Sequence, residues 1–377
     1  MHIACVSYSY EPHLKSPEEL LLAYSTLSGW AEGLASAGAR VTVFQRFGLD
    51  AHIECGDVHY HFVEDKMPRA GGPLDRAPRV NQAVAQAGAA VAHVNGLPFA
   101  WQAWWLKQRR PQLPVLIQDH ANSPPCHWIK AALLRTALRR MDAVSFAAPE
   151  QALPWREKGL LQPETRSFSL MEGSSRFRLR SRASARRETG LEGKPLCLWV
   201  GRLNANKDPL TALTGFARAA PHLPAPHLAM VYGESELLPE VTQFLADQPA
   251  VAGRVTLLGK RPHAELEAIY NSADLFLLGS HHEGSGYAAL EALACGVMPV
   301  LTDIPSFRAL LGRGEVGTLW PAKDPDALAV ALLATSRRLF PGMPDRVRAY
   351  FEAHWSFEAI GREAMHVYRE VQNGRAR

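Results

Sequence analysis

Short apolar runs and helical patterns alternate twice along this chain. In the first half, apolar runs typical of buried β-strands lie at residues 2–8, 40–46, 58–64, 90–95, 114–118 and 143–148. After a basic stretch rich in Ser and Arg, further runs lie at residues 196–200, 227–232, 254–259, 275–279, 298–302 and 317–320. The clearest helical pattern covers residues 18–37, and Gly38 would end it. This alternation predicts parallel sheets covered by helices on both faces, which is the α/β fold class.

The restart of the alternation predicts two domains, since 377 residues exceed what one hydrophobic core usually serves. We place an N-terminal domain at residues 1–173, a linker at 174–190 and a C-terminal domain at 191–345. A last helix is expected at about 356–372, after a break at two prolines. Two such sheets leave a cleft between them, and ligands bind at the carboxyl ends of parallel strands.

Composition narrows the class of protein. A hydrophobic content of 47% and a charged content of 21% are typical of a soluble globular chain. The N-terminal residues 1–8 are typical of a first β-strand and not of a signal peptide, which predicts a cytoplasmic location. The cysteines are scattered and lack the spacing of a disulfide framework or a zinc site: Cys5, Cys55, Cys126, Cys197 and Cys295.

Positive charge is unevenly distributed. Residues 107–188 contain sixteen Lys or Arg and seven Asp or Glu, although the net charge of the whole chain is only +4. Within this region residues 128–140 form a basic amphipathic helical pattern that could rest on an anionic membrane surface. The alternative is a solvated face with its apolar side on the sheet, and for one helix in isolation the sequence favours that alternative. No basic module interleaved with aromatic residues is present, so nucleic acid is not an expected partner.

The most informative motif covers residues 281–296. A predicted strand leads into a loop containing Glu283, Gly284, Ser285, Gly286 and Tyr287, and an apolar helix follows. Glycines let backbone approach a ligand closely, and a helix N-terminus attracts an anion. The motif therefore predicts a phosphate site.

Two glutamates flank this turn. Glu283 and Glu291 are eight residues apart, or about 12 Å along a helix. Their carboxylates could accept hydrogen bonds from a sugar at one end of a ligand and a ribose at the other, with a diphosphate between. In the alternative interpretation, Glu291 is an ordinary helix residue and Glu283 a loop charge.

The motif resembles the signature of retaining glycosyltransferases of family four, which have the GT-B fold of two facing Rossmann-like, doubly wound domains with an interdomain cleft. A second similarity is the segment 199–203, Trp-Val-Gly-Arg-Leu, followed by 206–210, Asn-Lys-Asp-Pro-Leu. The resemblance is clear from about residue 185 to 335 and looser over the first 180 residues. It implies that the C-terminal segment 356–377 packs back on the first domain.

The resemblance also implies roles for single residues. Gly201, Arg202 and Lys207 follow a strand and would meet the diphosphate, so that two cations would stabilise the leaving group without a metal. His120, at the end of a first-domain strand, resembles the histidine that contacts the transferred sugar, and Asp119 is a second polar candidate. The alternatives are exposed surface cations and a strand-capping histidine. His13 and Lys15 are weaker candidates.

Two further motifs are set aside. Asp324-Pro325-Asp326 has the Asp-x-Asp form of a metal site, but helix N-capping explains it better. Residues 284–289 imitate a dinucleotide fingerprint, yet they lie late in their domain and lack a convincing acidic ribose ligand, so NAD is rejected. The sequence also departs from the family pattern, since the loop 11–17 has no glycine and residues 171–175 lack Asn-Gly.

The expected function is that of a metal-independent, retaining glycosyltransferase of polysaccharide biosynthesis, with no cofactor. It would move a hexose from a nucleotide diphosphate sugar, bound by the second domain, to a hydroxyl of a glycan or lipid-linked acceptor, bound by the first. The alternatives are a non-catalytic nucleotide-sugar-binding partner in a glycan-assembly complex, or a GT-B epimerase or phosphorylase.

Overall fold

The computed structural model describes residues 1–66, 74–312 and 314–374, and the chain divides into two units. The first comprises Met1–Ser174 together with the segment that begins at Phe357, and the second comprises Ser175–Ser356. The residues predicted as a linker, 174–190, lie almost entirely in the second unit, where Arg182–Thr189 form a helix. None of the described helices is both long and apolar enough to cross a bilayer.

The first unit is built on a sheet of eight strands in the order β3-β4-β2-β1-β5-β6-β7-β8. The strands are β1 His2–Ser7, β2 Arg40–Phe47, β3 Ala51–Cys55, β4 Val58–Glu64, β5 Val91–Asn95, β6 Val115–Gln118, β7 Ala143–Phe146 and β8 Arg166–Ser169. The helices are α1 Pro17–Ala23, α2 Ser25–Ser36, α3 Pro78–Gln86, α4 Ala100–Arg109, α5 Trp128–Leu138 and α6 Leu153–Glu157, with short 3₁₀ turns at Leu97–Phe99 and Pro149–Ala152. All pairs are parallel except β3 with β4.

The second unit has a parallel sheet of six strands in the order β11-β10-β9-β12-β13-β14. The strands are β9 Leu196–Gly201, β10 His227–Tyr232, β11 Val255–Gly259, β12 Leu275–Leu278, β13 Met298–Thr302 and β14 Thr318–Trp320. The helices are α7 Arg182–Thr189, α8 Pro209–Ala219, α9 Leu238–Asp247, α10 Pro249–Ala252, α11 His263–Ser272, α12 Tyr287–Ala294, α13 Pro305–Leu311, α14 Pro325–Ser336 and α15 Met343–His354, with a 3₁₀ turn at Ala220–His222. The chain then returns to the first unit as α16 Phe357–Asn373.

Both sheets reverse their direction of growth after the third parallel strand, as in a doubly wound Rossmann-like domain. The α/β class and the two Rossmann-like domains predicted from the sequence are therefore confirmed. Each predicted strand is present, with ends that differ by at most two residues. Two polar edge strands, β3 and β8, were not predicted, and the helix expected at 18–37 is two helices that meet at Tyr24.

Alternate residues of the first sheet bury against helices on opposite faces. Ala4 and Val6 belong to a hydrophobic core shared with α3, α4 and α5. His93 of β5 lies on the opposite face of the sheet and contacts α16. The Nδ1 atom of His93 lies 2.5 Å from the Oη atom of Tyr368. The last helix therefore completes the core of the first unit.

The contact between α2 and α16 depends on glycine. A methyl group at Gly33 would collide with the backbone of Phe357, and one at Gly361 would collide with the carbonyl oxygen of Gly33. The two backbones approach too closely for any side chain at these positions.

We expect Gly361→Ala to lower the free energy of unfolding by about 1–3 kcal/mol, because overpacking against rigid backbone outweighs the gain in helix propensity. Urea denaturation measures the change. Gly48→Ala is the control, since the nearest atom to its new methyl group would be Tyr10 Oη at 3.6 Å. Equal stability of the two variants would show that α16 packs differently.

His93 is buried and neutral in this core. Its Nε2 lies 3.1 Å from Gln118 Oε1 and its Nδ1 faces the Tyr368 hydroxyl, so one neutral tautomer donates to the amide oxygen and accepts from the phenol. Burial, with a smaller contribution from the nearby His120, lowers the pKa of His93 to about 3. In the unfolded chain His93 binds a proton as the pH falls below 6.5, whereas in the folded unit it stays neutral until the pH approaches 3.

The stability that His93 provides is thus fully present above pH 6.5 and is lost as the pH falls towards 3. The free energy of unfolding should fall as the pH decreases below 6.5. In the His93→Gln variant this fall should be less steep, by up to about 1.4 kcal/mol per pH unit. Urea titrations at a series of pH values measure the slope. The control is the exposed His13→Gln, and a slope unchanged by His93→Gln would contradict the assignment.

Candidate functional site

The candidate site of the second unit lies where the strand order reverses. β9 is the first strand of its sheet and β12 the fourth, yet they are hydrogen-bonded neighbours. Their chains leave the carboxyl edge of the sheet side by side, as the loops 202–208 and 279–286. In open α/β sheets this position is where ligands bind.

Hydrogen bonds hold the two loops together. Asn206 accepts from the His281 backbone N–H at 2.8 Å, and its side-chain amide exchanges two hydrogen bonds with the backbone of His282, at 3.0 and 3.1 Å. Asp208 caps α8 through Thr211 N–H, and its second carboxylate oxygen lies 2.9 Å from His281 Nε2. These contacts fix the backbone on either side of Lys207 and Glu283.

Lys207 and Glu283 form an ion pair at this point, through Nζ and Oε1. Their side chains are only 12% and 13% exposed, so the attraction is weakly screened. The sequence assigned these two residues to different parts of a ligand, and the structure shows that they contact each other.

Arg202 is in a different environment. Its side chain is 57% exposed, and its Nη1 lies 3.7 Å from Glu234 Oε1, a distance that marks a weak surface pair. Gly201, directly before it, lies close to Lys207, since a methyl group there would come within 3.5 Å of Lys207 Cγ.

The turn into α12 requires glycine at one position. Gly286 is the N-cap residue with φ 75°, and a methyl group there would lie 2.6 Å from the Phe307 ring. Gly284 and Ser285 are also buried, whereas Tyr287, the first residue of the helix, is 42% exposed. This end of α12 carries the partial positive charge of the helix dipole beside the ion pair.

Glu291 lies one helical turn beyond that end and is held by another helix, α11. Tyr270 donates its hydroxyl to Oε2 at 2.9 Å, and His263 Nε2 lies 3.4 Å from Oε1. The hydrogen bond to Glu291 raises the pKa of His263. The carboxylate is thereby fixed with one oxygen towards the partly exposed edge of the site.

In the first unit, His120 follows β6 at the carboxyl edge of its own sheet. Its Nε2 is hydrogen-bonded to the Asn95 amide, and its Nδ1 lies 3.3 Å from the buried Glu172 carboxylate. Burial lowers the pKa of His120 to about 4, so the ring is neutral at pH 7. Asp119 beside it is buried and accepts from the backbone and side chain of Asn122. Asn95 and Glu172 position this histidine.

Comparisons with known proteins cover both units. Residues 181–336 match the family model of glycosyl transferases group 1, and residues 25–166 match that of the glycosyl transferase 4-like domain. The chain belongs to the GT-B glycosyltransferases of the family four type.

Curated relatives of this GT-B protein include the D-inositol 3-phosphate glycosyltransferases of Segniliparus rotundus, 31% identical over 213 residues, and of Corynebacterium jeikeium, 32% identical over 205 residues. The alignments cover 53% and 51% of this chain and 45% and 48% of those relatives. The chain therefore spans about half the length of the curated relatives it matches.

Solved structures similar to this GT-B protein include sucrose-phosphate synthase from Thermosynechococcus elongatus, with a TM-score of 0.69, 21% identity and 98% of each chain covered. Another is HepE of Anabaena in complex with UDP and glucose, with a TM-score of 0.67, 14% identity, and 98% of this chain and 100% of that chain covered. At these identities the similarity establishes the fold alone.

Several polar residues around Glu291 in the second unit, and around His120 in the first, had no signal in the sequence. Tyr270 and His263 reach Glu291 from α11, and Asn95 and Glu172 reach His120 from other segments. None stands at a distinctive spacing from its partner. The Asp324 carboxylate caps α14, as the sequence predicted. Within the described ranges, no group of three or more His, Cys, Asp or Glu is arranged to hold a metal ion.

We expect the Lys207–Glu283 pair to show strong energetic coupling. A double-mutant cycle with Lys207→Met and Glu283→Gln should give about 1–3 kcal/mol, since each single change breaks an ion pair that is largely withdrawn from water. The same cycle on Arg202 and Glu234, by Arg202→Met and Glu234→Gln, should give about 0–1 kcal/mol, because both side chains are exposed. Urea denaturation measures both cycles, and equal couplings would refute the buried pair.

Proposed function

We propose that this protein is a retaining glycosyltransferase that moves a hexose from a nucleotide diphosphate sugar to a hydroxyl of a glycan or lipid-linked acceptor. The observation that carries this proposal is the Lys207–Glu283 pair at the strand-order reversal, beside the N-terminus of α12. One cation, one carboxylate and a helix dipole there suit an anion joined to a hydroxyl-rich group. Membership of the GT-B family supports the same reaction class.

In this mechanism the second unit binds the donor. The diphosphate lies between Arg202, Lys207 and the N-terminal end of α12 at Gly284 to Tyr287, where positive charge stabilises the leaving group as the anomeric carbon–oxygen bond breaks. The acceptor oxygen forms the new bond to the same carbon, and its proton passes to the diphosphate oxygen that departs with the electron pair of the broken bond. Because these cations supply the charge stabilisation, we propose that the reaction needs no metal and no cofactor.

The two glutamates hold opposite ends of the donor. Glu283 accepts hydrogen bonds from the hydroxyls of the transferred sugar, and Glu291 accepts them from the ribose. Tyr270 and the exposed His263 hold the Glu291 carboxylate from one side, and its oxygens keep further lone pairs that can accept from a ribose hydroxyl. Lys207 is shared, since it can contact the diphosphate while still near Glu283.

The first unit binds the acceptor in this proposal, and His120 contacts the transferred sugar. A neutral imidazole suits that role, since it places no positive charge beside the reacting carbon. Because the curated relatives are D-inositol 3-phosphate glycosyltransferases, inositol phosphate is one acceptor to test, alongside lipid-linked glycans. We place the reaction in the cytoplasm, at the inner face of the membrane.

The proposal predicts that substitution of the two glutamates weakens different ligands. Calorimetric titration of a nucleoside diphosphate and of its sugar nucleotide measures the affinities. Glu291→Gln should weaken both ligands, by about 10-fold if one hydrogen bond to a charged group is lost. Glu283→Gln should weaken only the intact sugar nucleotide. Equal losses for the bare nucleotide in both variants would overturn the assignment.

Turnover is tested with the donor that binds, a panel of acceptors and an excess of EDTA. Transfer that persists in EDTA and gives a product with the donor's anomeric configuration is the expected result. Release of sugar phosphate on addition of inorganic phosphate would indicate a phosphorylase instead. Donor binding without turnover on any acceptor would indicate a non-catalytic binding partner.

A further inference from the structure

The exposed sides of α4 and α5 in the first unit form a surface that the proposed reaction does not use. We define the α4–α5 surface by the apolar Trp128, Ile129 and Leu133, and by the cations Arg109, Arg110, Lys130, Arg139 and Arg140. The three apolar side chains are 75%, 45% and 39% exposed, respectively. Large apolar groups grouped on one helix are uncommon on a surface that faces only water.

These apolar residues are not part of the core. α5 packs on the sheet through its opposite side, where Ala137 and Leu138 are buried and Ala131 and Leu134 contact the core cluster. The exposed side of α5 therefore carries large apolar groups in addition to cations such as Lys130. The side of α5 that faces the sheet is apolar, as the alternative of a solvated helix expected.

Charge on this surface is mainly positive. Between Asp75 and Asp142 the sequence contains nine Lys or Arg and a single acid, Asp119. The arginines at the ends of the two helices (Arg109, Arg110, Arg139 and Arg140) are exposed, and within the described part of the chain none makes an ion pair.

The two helix ends meet at one place. Gln108 and Pro111 share with Arg139 and Arg140 the lining of a cavity of about 320 Å³. Asp142 also lines it, but its Oδ2 already accepts from Lys107 Nζ at 2.8 Å and from Val115 N–H at 2.7 Å. The Asp142 carboxylate is thus already bound by Lys107 and by the backbone.

We propose that the α4–α5 surface docks on an anionic membrane. Trp128, Ile129 and Leu133 enter the boundary between headgroups and acyl chains, and the arginines contact lipid phosphates. Tryptophan suits that boundary, because its ring is apolar and its N–H can meet headgroups. Ile129 and Leu133 favour a bilayer over nucleic acid, since single strands are bound by stacking on aromatic rings.

Docking would place the first unit, the proposed acceptor-binding unit, at a lipid surface. This consequence rests on the proposed function and favours a lipid-linked acceptor over a free glycan. The docking itself does not depend on the reaction, so it is tested without donor or acceptor. A failure of one proposal leaves the other open to its own test.

The experiment is co-sedimentation of the full chain with vesicles of two parts phosphatidylcholine to one part phosphatidylglycerol. Binding is expected to weaken with salt and to be far weaker on pure phosphatidylcholine. Arg139→Gln with Arg140→Gln should lower vesicle affinity about 30-fold, at roughly 5-fold for each cation. Trp128→Ser with Leu133→Ser should lower it at least about 10-fold.

Matched controls come from the second unit. Arg337→Gln with Arg346→Gln removes two exposed arginines, and Val330→Ser with Phe340→Ser removes two exposed apolar groups. Both controls should bind vesicles like the unaltered protein, and circular dichroism checks that all variants are folded. Absence of vesicle binding, or full affinity in either α4–α5 variant, would overturn the proposal. So would oligonucleotide binding that depends on Arg139 and Arg140 in the absence of vesicle binding.

Discussion

The candidate site depends on the hydrogen bonding of β9 to β12, the two strands between which the second sheet reverses its order. This pairing brings together two loops that are more than seventy residues apart in sequence. Asn206 and Asp208 then fix the loops to each other, so that Lys207 and Glu283 meet with little freedom. The ion pair is the product of the topology. It would not form if β12 were added beside β11 instead of beside β9.

Much of the fold followed from the sequence because buried parallel strands are continuous apolar runs. β3 and β8 escaped prediction for the opposite reason, since each lies at an edge, exposes alternate residues and contains polar groups such as His52 and Arg166. The division of the helix at Tyr24 also left no local signal. Its backbone leaves the helical region there, although the residues around it are ordinary helix formers.

The sequence motifs select candidate residues but not their contacts. Lys207 and Glu283 stand in loops that follow strands, and Glu291 stands in the helix after the second loop. Their partners were not evident from the sequence, because a side chain such as Tyr270 reaches Glu291 across the gap between two helices. Periodicity reports which face of a helix is buried, and it carries no information on which polar atom meets which.

The Lys207–Glu283 pair also has a consequence for how a ligand would bind. Each charge is largely withdrawn from water, so removing either partner costs more than the pair itself contributes. An anion that enters beside Lys207 supplies it with a second negative partner, and Glu283 can then turn an oxygen towards hydroxyl groups without leaving the lysine unbalanced. Binding of the anion and binding of the sugar are thereby coupled through one side chain. A donor that carries both groups satisfies every charge in the site, whereas a free sugar would compete with Lys207 for the carboxylate.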